Sequence, residues 1–156
     1  MAQFPLAYHI TWGTYGARLH GSEKPHVDRS HNAYGAPLAP VDAEREAAAR
    51  ARMRGPTVSL NLEQRRVVRE AVYEVCARYD WLVHEFAGQS DHTHVVVSAE
   101  REGRALREAL KAVAARELNK KFGKKQWWAE GGSSRYIWDQ TYLRDAINYV
   151  GGQRDF

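Results

Sequence analysis

The sequence contains a single cysteine, Cys76, and no long apolar run. One cysteine cannot form an internal disulfide bond or supply a site of several thiolates, so histidine, carboxylate or amide groups would have to hold any metal ion. Short apolar runs such as 95–97 fall far below the roughly 20 residues that span a membrane. The first six residues contain neither a basic leader nor an apolar segment, which predicts no export signal and a cytoplasmic protein.

What the sequence does contain is the composition of one ordinary globular domain. Of its 156 residues, 44% are hydrophobic and 27% are charged, so we expect a single domain. The net charge of +4 is unevenly spread, because residues 101–125 contain nine basic and three acidic residues and the rest of the chain is net negative. Such a basic stripe is typical of a protein that binds a phosphate backbone, and a well-solvated helix face is the alternative.

The order of predicted elements indicates the fold. Strands are predicted at 6–15, 81–87, 92–98 and 136–138, and helices at about 62–79, 103–122 and 141–150. The first of these helices begins with a capping-box pattern at Asn61 and Gln64. This order predicts an α+β fold, a ferredoxin-like or RRM-like antiparallel sheet with two helices on one face and an added C-terminal helix. The segment at about 22–57 carries four of the five prolines and a short helical piece, and we interpret it as an insertion or flap.

Two of the seven histidines, His92 and His94, lie two residues apart on a predicted strand. Their side chains project from the same face of that strand, away from Thr93 and Val95. Two imidazoles on one sheet face can form half of a metal site, and surface histidines on a half-exposed strand are the alternative. The other five histidines form no comparable pair, and His84 is expected to pack or to lie at the surface.

The hairpin between the second and third strands suggests a partner for one imidazole. If the turn is symmetric about Gln89 and Ser90, Glu85 lies directly opposite His94. Glu85 is therefore a candidate residue for orienting His94 from behind.

The C-terminal helix supplies a second group of polar side chains. Tyr149 and Gln153 are one helical turn apart and share a face, which makes them a candidate nucleophile and a candidate third metal ligand. An ordinary amphipathic helix that ends at Gly151 and Gly152 is the alternative. Tyr142, seven residues before Tyr149, is the rival nucleophile, although it lacks a glutamine four residues later.

These patterns together resemble the single-tyrosine HUH transposases of small bacterial insertion sequences and their REP-associated tyrosine transposase relatives. The resemblance rests on segments 8–12, 91–97, 131–135 and 149–153, and so covers nearly the whole chain. The combination is specific, whereas an isolated His-x-His pattern would be weak. The middle residue of the HUH motif is usually a bulky hydrophobic residue and is Thr93 here, a difference that concerns packing more than catalysis because this side chain points away from the imidazoles.

The resemblance implies a mechanism. His92, His94 and the side-chain oxygen of Gln153 would bind one divalent ion, Mg²⁺ or Mn²⁺, that polarises a scissile phosphate of single-stranded DNA. Tyr149 would attack phosphorus and leave a 5′-phosphotyrosine link and a free 3′-hydroxyl. Because that link conserves the energy of the phosphodiester, rejoining requires no nucleotide cofactor, and the sequence around Gly123 does not match a P-loop. The implied partners are hairpin-forming single-stranded DNA and a second copy of the chain.

The basic helix and the connector after it would then hold DNA. Trp127 and Trp128 are candidates for stacking on unpaired bases, and packing in the core is the alternative for both. The candidate residues for the DNA backbone are Arg104, Arg107, Lys111, Lys120, Lys121, Lys124 and Lys125.

Three other functions remain compatible with the sequence. A non-catalytic nucleic-acid-binding module could share the fold, although no strand matches the Lys/Arg-Gly-aromatic signature of RNA-recognition modules. A domesticated nuclease acting on palindromic single-stranded DNA would use the same residues. A metal-dependent hydrolase that activates water would not require Tyr149.

Overall fold

The computed structural model describes residues 3–17, 43–52 and 55–154. The secondary-structure elements in chain order are β1 (Ala7–Gly13), α1 (Ala43–Ala51), α2 (Leu62–Arg78), β2 (Leu82–Gly88), β3 (His92–Ser98), α3 (Gly103–Phe122), β4 (Ser133–Ile137) and α4 (Gln140–Gly152). The strands form one antiparallel sheet in the order β2-β3-β1-β4, which confirms the predicted ferredoxin-like α+β topology. Most of the predicted insertion at about 22–57 lies outside the described residues, and α1 confirms its helical piece.

The helices α2 and α3 begin where polar side chains can satisfy their first backbone N–H groups. Asn61 and Gln64 form the predicted capping box, each side chain accepting from the other's backbone N–H. The carboxylate of Glu102 accepts from the backbone N–H groups of Arg104 and Ala105 at the start of α3. Within the described residues, no helix is long and apolar enough to cross a membrane.

Alternation along the strands divides the sheet into two faces. On the face that we call the helix-covered face, Tyr8, Ile10 and Trp12 of β1 and Val95 and Val97 of β3 pack beneath α2 and α3. Burial of these side chains, which are at most 2% exposed, forms the main hydrophobic core. This face therefore carries most of the apolar packing of the domain.

The opposite face, which we call the α4 face, carries a smaller apolar cluster. Ala7, Ala87 and Val96 of the sheet pack against Ala146 and Val150 of α4. Several of these side chains are small, and they let the helix lie close to the strands. The cluster fixes α4 across the sheet face that a minimal ferredoxin-like fold would leave open, as the sequence predicts.

The register of the β2–β3 hairpin differs from the prediction. His94 pairs with Ala87, and Glu85 pairs with Val96, so the expectation that Glu85 lies directly opposite His94 is wrong. The backbone N–H of Gln89 donates to the carbonyl of His92 at 2.8 Å, which places the turn one residue later than expected, at Ser90 and Asp91. A shift of one turn position moves the pairing by two residues and leaves the facing of each side chain unchanged.

The connector between α3 and β4 is part of the core. Trp127 and Trp128 are only 2% and 7% exposed, so the core-packing alternative is confirmed for both and a stacking platform for bases is not. Their indole N–H groups donate to the side chain of Asn119 at 2.8 Å and to the backbone carbonyl of Lys111 at 3.0 Å. The tryptophans thus fix the connector onto α3.

Candidate functional site

Three imidazoles meet on the α4 face, at the end of the sheet near the β2–β3 turn. The rings of His92 and His94 have centroids 4.6 Å apart and are nearly perpendicular, and the ring of His9 on β1 lies 5.2 Å from that of His94. All three histidines are 5% exposed. The prediction that His92 and His94 share a sheet face is therefore confirmed, and the alternative of two surface histidines is wrong.

Each of the two predicted ligands has a hydrogen-bonding neighbour at its Nδ1 atom. Nδ1 of His92 lies 2.5 Å from Oδ1 of Asp91. Nδ1 of His94 lies 3.0 Å from Nε2 of His9 and 3.1 Å from the hydroxyl oxygen of Thr11. These contacts hold both rings in fixed orientations.

His9 is neutral at physiological pH. Burial, and to a smaller extent the neighbouring Arg135, lowers the pKa of His9 to about 4. A neutral imidazole carries one N–H donor and one acceptor nitrogen. His9 can therefore exchange a hydrogen bond with His94 without adding positive charge beside the two predicted ligands.

Tyr149 of α4 lies directly over this group of histidines. Its ring centroid is 5.8 Å from that of His94 and 5.9 Å from that of His9, in edge-to-face arrangements. The side chain is nevertheless 52% exposed, so the phenol borders both the imidazoles and solvent. Tyr142 lies two helical turns earlier, in the first turn of α4, whose N-terminus is capped by Asp139. A histidine pair and an accessible phenol thus come together within one chain.

The end of α4 is tied to the hairpin turn. The side-chain N–H₂ of Gln89 donates to both the backbone oxygen of Gln153, at 2.6 Å, and its side-chain Oε1, at 3.2 Å. Gln89 also pairs with His92 through its backbone. These bonds bring the carboxamide of Gln153 to the histidine end of the sheet, and its Oε1 keeps a second lone pair after accepting from Gln89.

The three predicted ligands are of types that bind divalent cations. Among residues 3–17, 43–52 and 55–154, no three His, Cys, Asp or Glu side chains are arranged to hold a metal ion. Two imidazole nitrogens and one amide oxygen, the set given by His92, His94 and Gln153, are nevertheless ligand types that suit Mn²⁺ and related ions. Such a set would leave coordination positions open for a phosphate oxygen.

Glu85 contacts the end of α4. Its carboxylate lies 3.6 Å from the guanidinium of Arg154, and its Oε2 is close to Gly151. It also accepts from the backbone N–H of Phe86 at 3.0 Å. These contacts connect Glu85 to the helix that carries Tyr149, whereas the observed register places it opposite Val96 and not opposite His94.

Two of the predicted DNA-backbone residues are largely covered and bond to the connector. Lys111 is only 7% exposed and donates to the carbonyls of Ala129 and Gly131 at 2.9 and 2.7 Å, so it is not part of an exposed basic surface, as contact with a DNA backbone would require. The guanidinium of Arg107 is largely covered and donates to the carbonyl of Gly132. Both side chains hold the connector that enters β4. The remaining predicted residues are exposed: Arg104, Lys120, Lys121, Lys124 and Lys125.

Gly132 explains why this connector can approach the site. Its φ of +131° lies outside the range that other residues commonly adopt. A Cβ atom at this position would collide with the backbone oxygen of Thr11, on the strand that carries His9. The glycine therefore permits the connector to lie against the backbone of β1 at Thr11 and Trp12, where β4 begins to pair with it.

His9 is the site residue that the sequence analysis missed. It was grouped with the histidines that form no pair, because a search for near neighbours in sequence cannot find a partner on another strand. The sequence nonetheless contained the information needed to find it. The predicted topology places β1 beside β3, and His9 and Thr11, two residues apart on β1, share one face. In the structure, Thr11 pairs with His94, and His9 pairs with Val96.

A solved structure shares this architecture. The structure of a REP-associated tyrosine transposase bound to a REP hairpin matches with a TM-score of 0.54 and 12% sequence identity, over 96% of this chain and 70% of that one. A candidate transposase from Deinococcus radiodurans R1 matches with a TM-score of 0.49 and 14% identity, over 98% of this chain and 94% of that one. At these identities, the first match supports the fold alone. No curated protein matches the sequence significantly.

The family model described as "Transposase IS200 like" matches residues 50–151. This range is about two thirds of the chain and includes the histidine pair of β3 and Tyr149 of α4. The chain therefore belongs to the IS200-like transposase family.

Proposed function

We propose that this protein cleaves and rejoins single-stranded DNA through a 5′-phosphotyrosine intermediate, with Tyr149 as nucleophile. The observation that carries the proposal is the contact of the Tyr149 ring with the rings of His94 and His9, at centroid distances of 5.8 and 5.9 Å. The phenol thus lies against His94, one of the two imidazoles that would bind the metal ion, as a tyrosine nucleophile beside a metal-bound phosphate requires. Membership of a transposase family supports the same chemistry.

His92, His94 and Gln153 would hold one divalent ion, Mg²⁺ or Mn²⁺. When bound, the ion would act as a Lewis acid that draws electron density from the scissile phosphate. The two imidazoles would contribute nitrogen ligands from alternate residues on one face of β3, and Gln153 would contribute an oxygen from the end of α4. Gln89 and Glu85 hold that end of the helix in place.

Tyr149 would form the covalent bond. Its phenolic oxygen attacks phosphorus, the bond from phosphorus to the 3′-oxygen breaks, and the 5′-phosphate remains attached to the tyrosine. The phenol loses its proton and the departing 3′-oxygen gains one, so the step is balanced without a nucleotide cofactor. The reverse attack by a 3′-hydroxyl restores the phosphodiester and releases the tyrosine.

The exposed basic residues of α3 and its connector would hold the DNA backbone. Lys124 and Lys125 are exposed beyond the end of α3, and Lys120 and Lys121 lie in its last turn beside Glu117 and Glu63. Because α3 covers the sheet face opposite to α4, DNA bound to both would have to pass around an edge of the sheet. A hairpin followed by a flexible single strand can take such a path, and we propose this form of DNA as the substrate. We also propose a homodimer as the active assembly, as the family resemblance implies.

The test is a cleavage assay with a pool of single-stranded oligonucleotides that share a hairpin and carry randomised flanks. With Mg²⁺ or Mn²⁺, a 3′ label should migrate with the protein on a denaturing gel, because the downstream 5′-phosphate is attached to tyrosine. Tyr149→Phe should lower adduct formation by at least about 10³-fold, as the loss of a nucleophile does. Tyr142→Phe is the matched control and should form the adduct normally.

Two outcomes would contradict the proposal. Cleavage without an adduct that persists in Tyr149→Phe would indicate a metal-dependent hydrolase that uses water. Binding of the oligonucleotides without any cleavage by the wild-type chain would indicate a non-catalytic binding module.

A further inference from the structure

The two predicted metal ligands, His92 and His94, both have hydrogen-bonding neighbours on the same side of the ring. In each ring, the nitrogen nearer the backbone, Nδ1, is engaged: that of His92 with the carboxylate of Asp91, and that of His94 with His9 and Thr11. The neighbours come from different places, since Asp91 precedes β3 in sequence and His9 and Thr11 lie on β1. Both rings are thus held at Nδ1, each by neighbours from a different part of the chain.

The nature of the neighbours bears on where the ring protons lie. An ionised carboxylate can only accept, so Nδ1 of His92 must carry a proton to bond with Asp91. Nδ1 of His94 has two neighbours, at 3.0 and 3.1 Å. A ring nitrogen has a single lone pair and cannot properly accept from both, whereas one N–H can be shared between two acceptors. The hydroxyl oxygen of Thr11 also lies 3.5 Å from Nε2 of His9. A proton on Nδ1 of His94 can use the two shorter contacts, at 3.0 and 3.1 Å, whereas a proton on Nε2 of His9 would use one short contact and one long one. The geometry therefore favours a proton on Nδ1 of His94 as well.

We propose that Asp91 and His9 are positioning residues that fix His92 and His94 as their Nδ1–H tautomers, with Thr11 as a second acceptor for His94. Both rings then present Nε2 as the lone-pair nitrogen to one cation. The proposal rests on the metal site put forward above, and extends it to residues that do not touch the ion. Partners of this kind commonly raise the basicity of a metal-binding imidazole and fix its orientation.

The tautomers can be read without any metal. In protein labelled with ¹⁵N-histidine and freed of divalent ions, long-range ¹H–¹⁵N spectra at neutral pH distinguish a protonated ring nitrogen from one with a lone pair. His92 and His94 should both show a protonated Nδ1 and a lone pair on Nε2. A spectrum in which His94 is protonated at Nε2 would overturn the proposal, because Thr11 or His9 would then be donating to it.

Variants separate positioning from ligation. His9→Phe keeps a buried ring but removes the acceptor, and Asp91→Ala removes the carboxylate. Each should weaken Mn²⁺ binding, followed by electron paramagnetic resonance, by about 10- to 100-fold. Asp91→Asn keeps an acceptor oxygen and should restore most of the affinity. His84→Gln is the matched control, because it removes a half-buried histidine whose partner is Ser98, and it should bind Mn²⁺ normally.

The outcomes distinguish this inference from the proposed metal site. If His94→Ala leaves Mn²⁺ binding unchanged, the metal site itself is wrong. If His94→Ala abolishes binding and His9→Phe and Asp91→Ala do not weaken it, the site stands and the positioning role is wrong. Should His9→Phe fail to fold by circular dichroism, the tautomer measurement on the wild-type chain still decides the matter.

Discussion

The two faces of the sheet are built from alternate residues of the same strands. One face forms the main hydrophobic core, and the other carries the candidate site. On the helix-covered face, β1 contributes Tyr8, Ile10 and Trp12 to a large apolar core. On the α4 face, the intervening residues His9 and Thr11 lie beside His94. One strand of seven residues therefore contributes both to the core and to the candidate site.

The difference shows how a small domain can bury a polar site without losing its fold. His92 and His94 are 5% exposed, and burying polar groups lowers stability unless they are hydrogen-bonded. The apolar packing that compensates lies on the other side of the same strands, where side chains such as Ile10 and Val95 are fully buried. We therefore expect substitutions to divide by face, with loss of stability on one and loss of activity on the other.

The largest effect on stability is expected for Leu110→Ala. Leu110 of α3 is fully buried in the core of the helix-covered face, and removing its side chain should lower the free energy of unfolding by about 2–5 kcal/mol. Urea denaturation measures this change. At a temperature where the variant is folded, its adduct formation per folded molecule should match that of the wild type. A selective loss of activity in the folded variant would break the division between the faces.

A smaller but more selective effect is expected for Gln89→Ala. Removing its two hydrogen bonds to Gln153 should lower stability by about 1 kcal/mol and loosen the end of α4 that carries Tyr149. We expect adduct formation to fall about tenfold, since a displaced nucleophile lowers the rate steeply. Gel assays of initial rates measure this effect.

Asn61→Ala is the matched control for that experiment. It removes the cap of α2, which packs on the opposite face of the sheet, and should also lower stability by about 1 kcal/mol. Its rate of adduct formation should stay at the wild-type level. Equal rate losses in the two variants would mean that global stability, rather than the position of α4, limits the reaction.

Much of the fold could be predicted because local signals agreed with one another. The capping box at Asn61, the helix from Gly103 to Phe122 and the strand from His92 to Ser98 all appear where the pattern placed them. Strand β4 was less predictable and begins at Ser133 rather than at Tyr136. Its first residues are serines, which give no strand signal, and their pairing with β1 depends on the contacts made by the glycine connector.

The candidate site was predictable only where its residues lie close in sequence. Alternation on one strand was enough to place His92 beside His94, whereas the contribution of His9 depends on a neighbouring strand. The burial of Lys111 was equally hidden, because its position in a basic stripe looks like that of an exposed residue. The buried Trp127 and Trp128 hold the connector against α3, and Lys111 donates to two carbonyls of that connector. These contacts, which the sequence does not show, explain the burial of Lys111.

The smallest effect is expected at the basic surface, where single exposed charges contact neither the core nor the candidate site. Lys124→Ala removes one exposed charge beyond α3, and should reduce the slope of log affinity against log salt by about 0.7 for a single-stranded contact. Fluorescence anisotropy of a hairpin oligonucleotide without divalent ions measures binding apart from cleavage. Arg78→Ala, at an exposed position on α2, should leave the slope unchanged. If both variants keep the wild-type slope, Lys124 makes no contact with the DNA backbone, and its charge serves only to solvate the surface beyond α3.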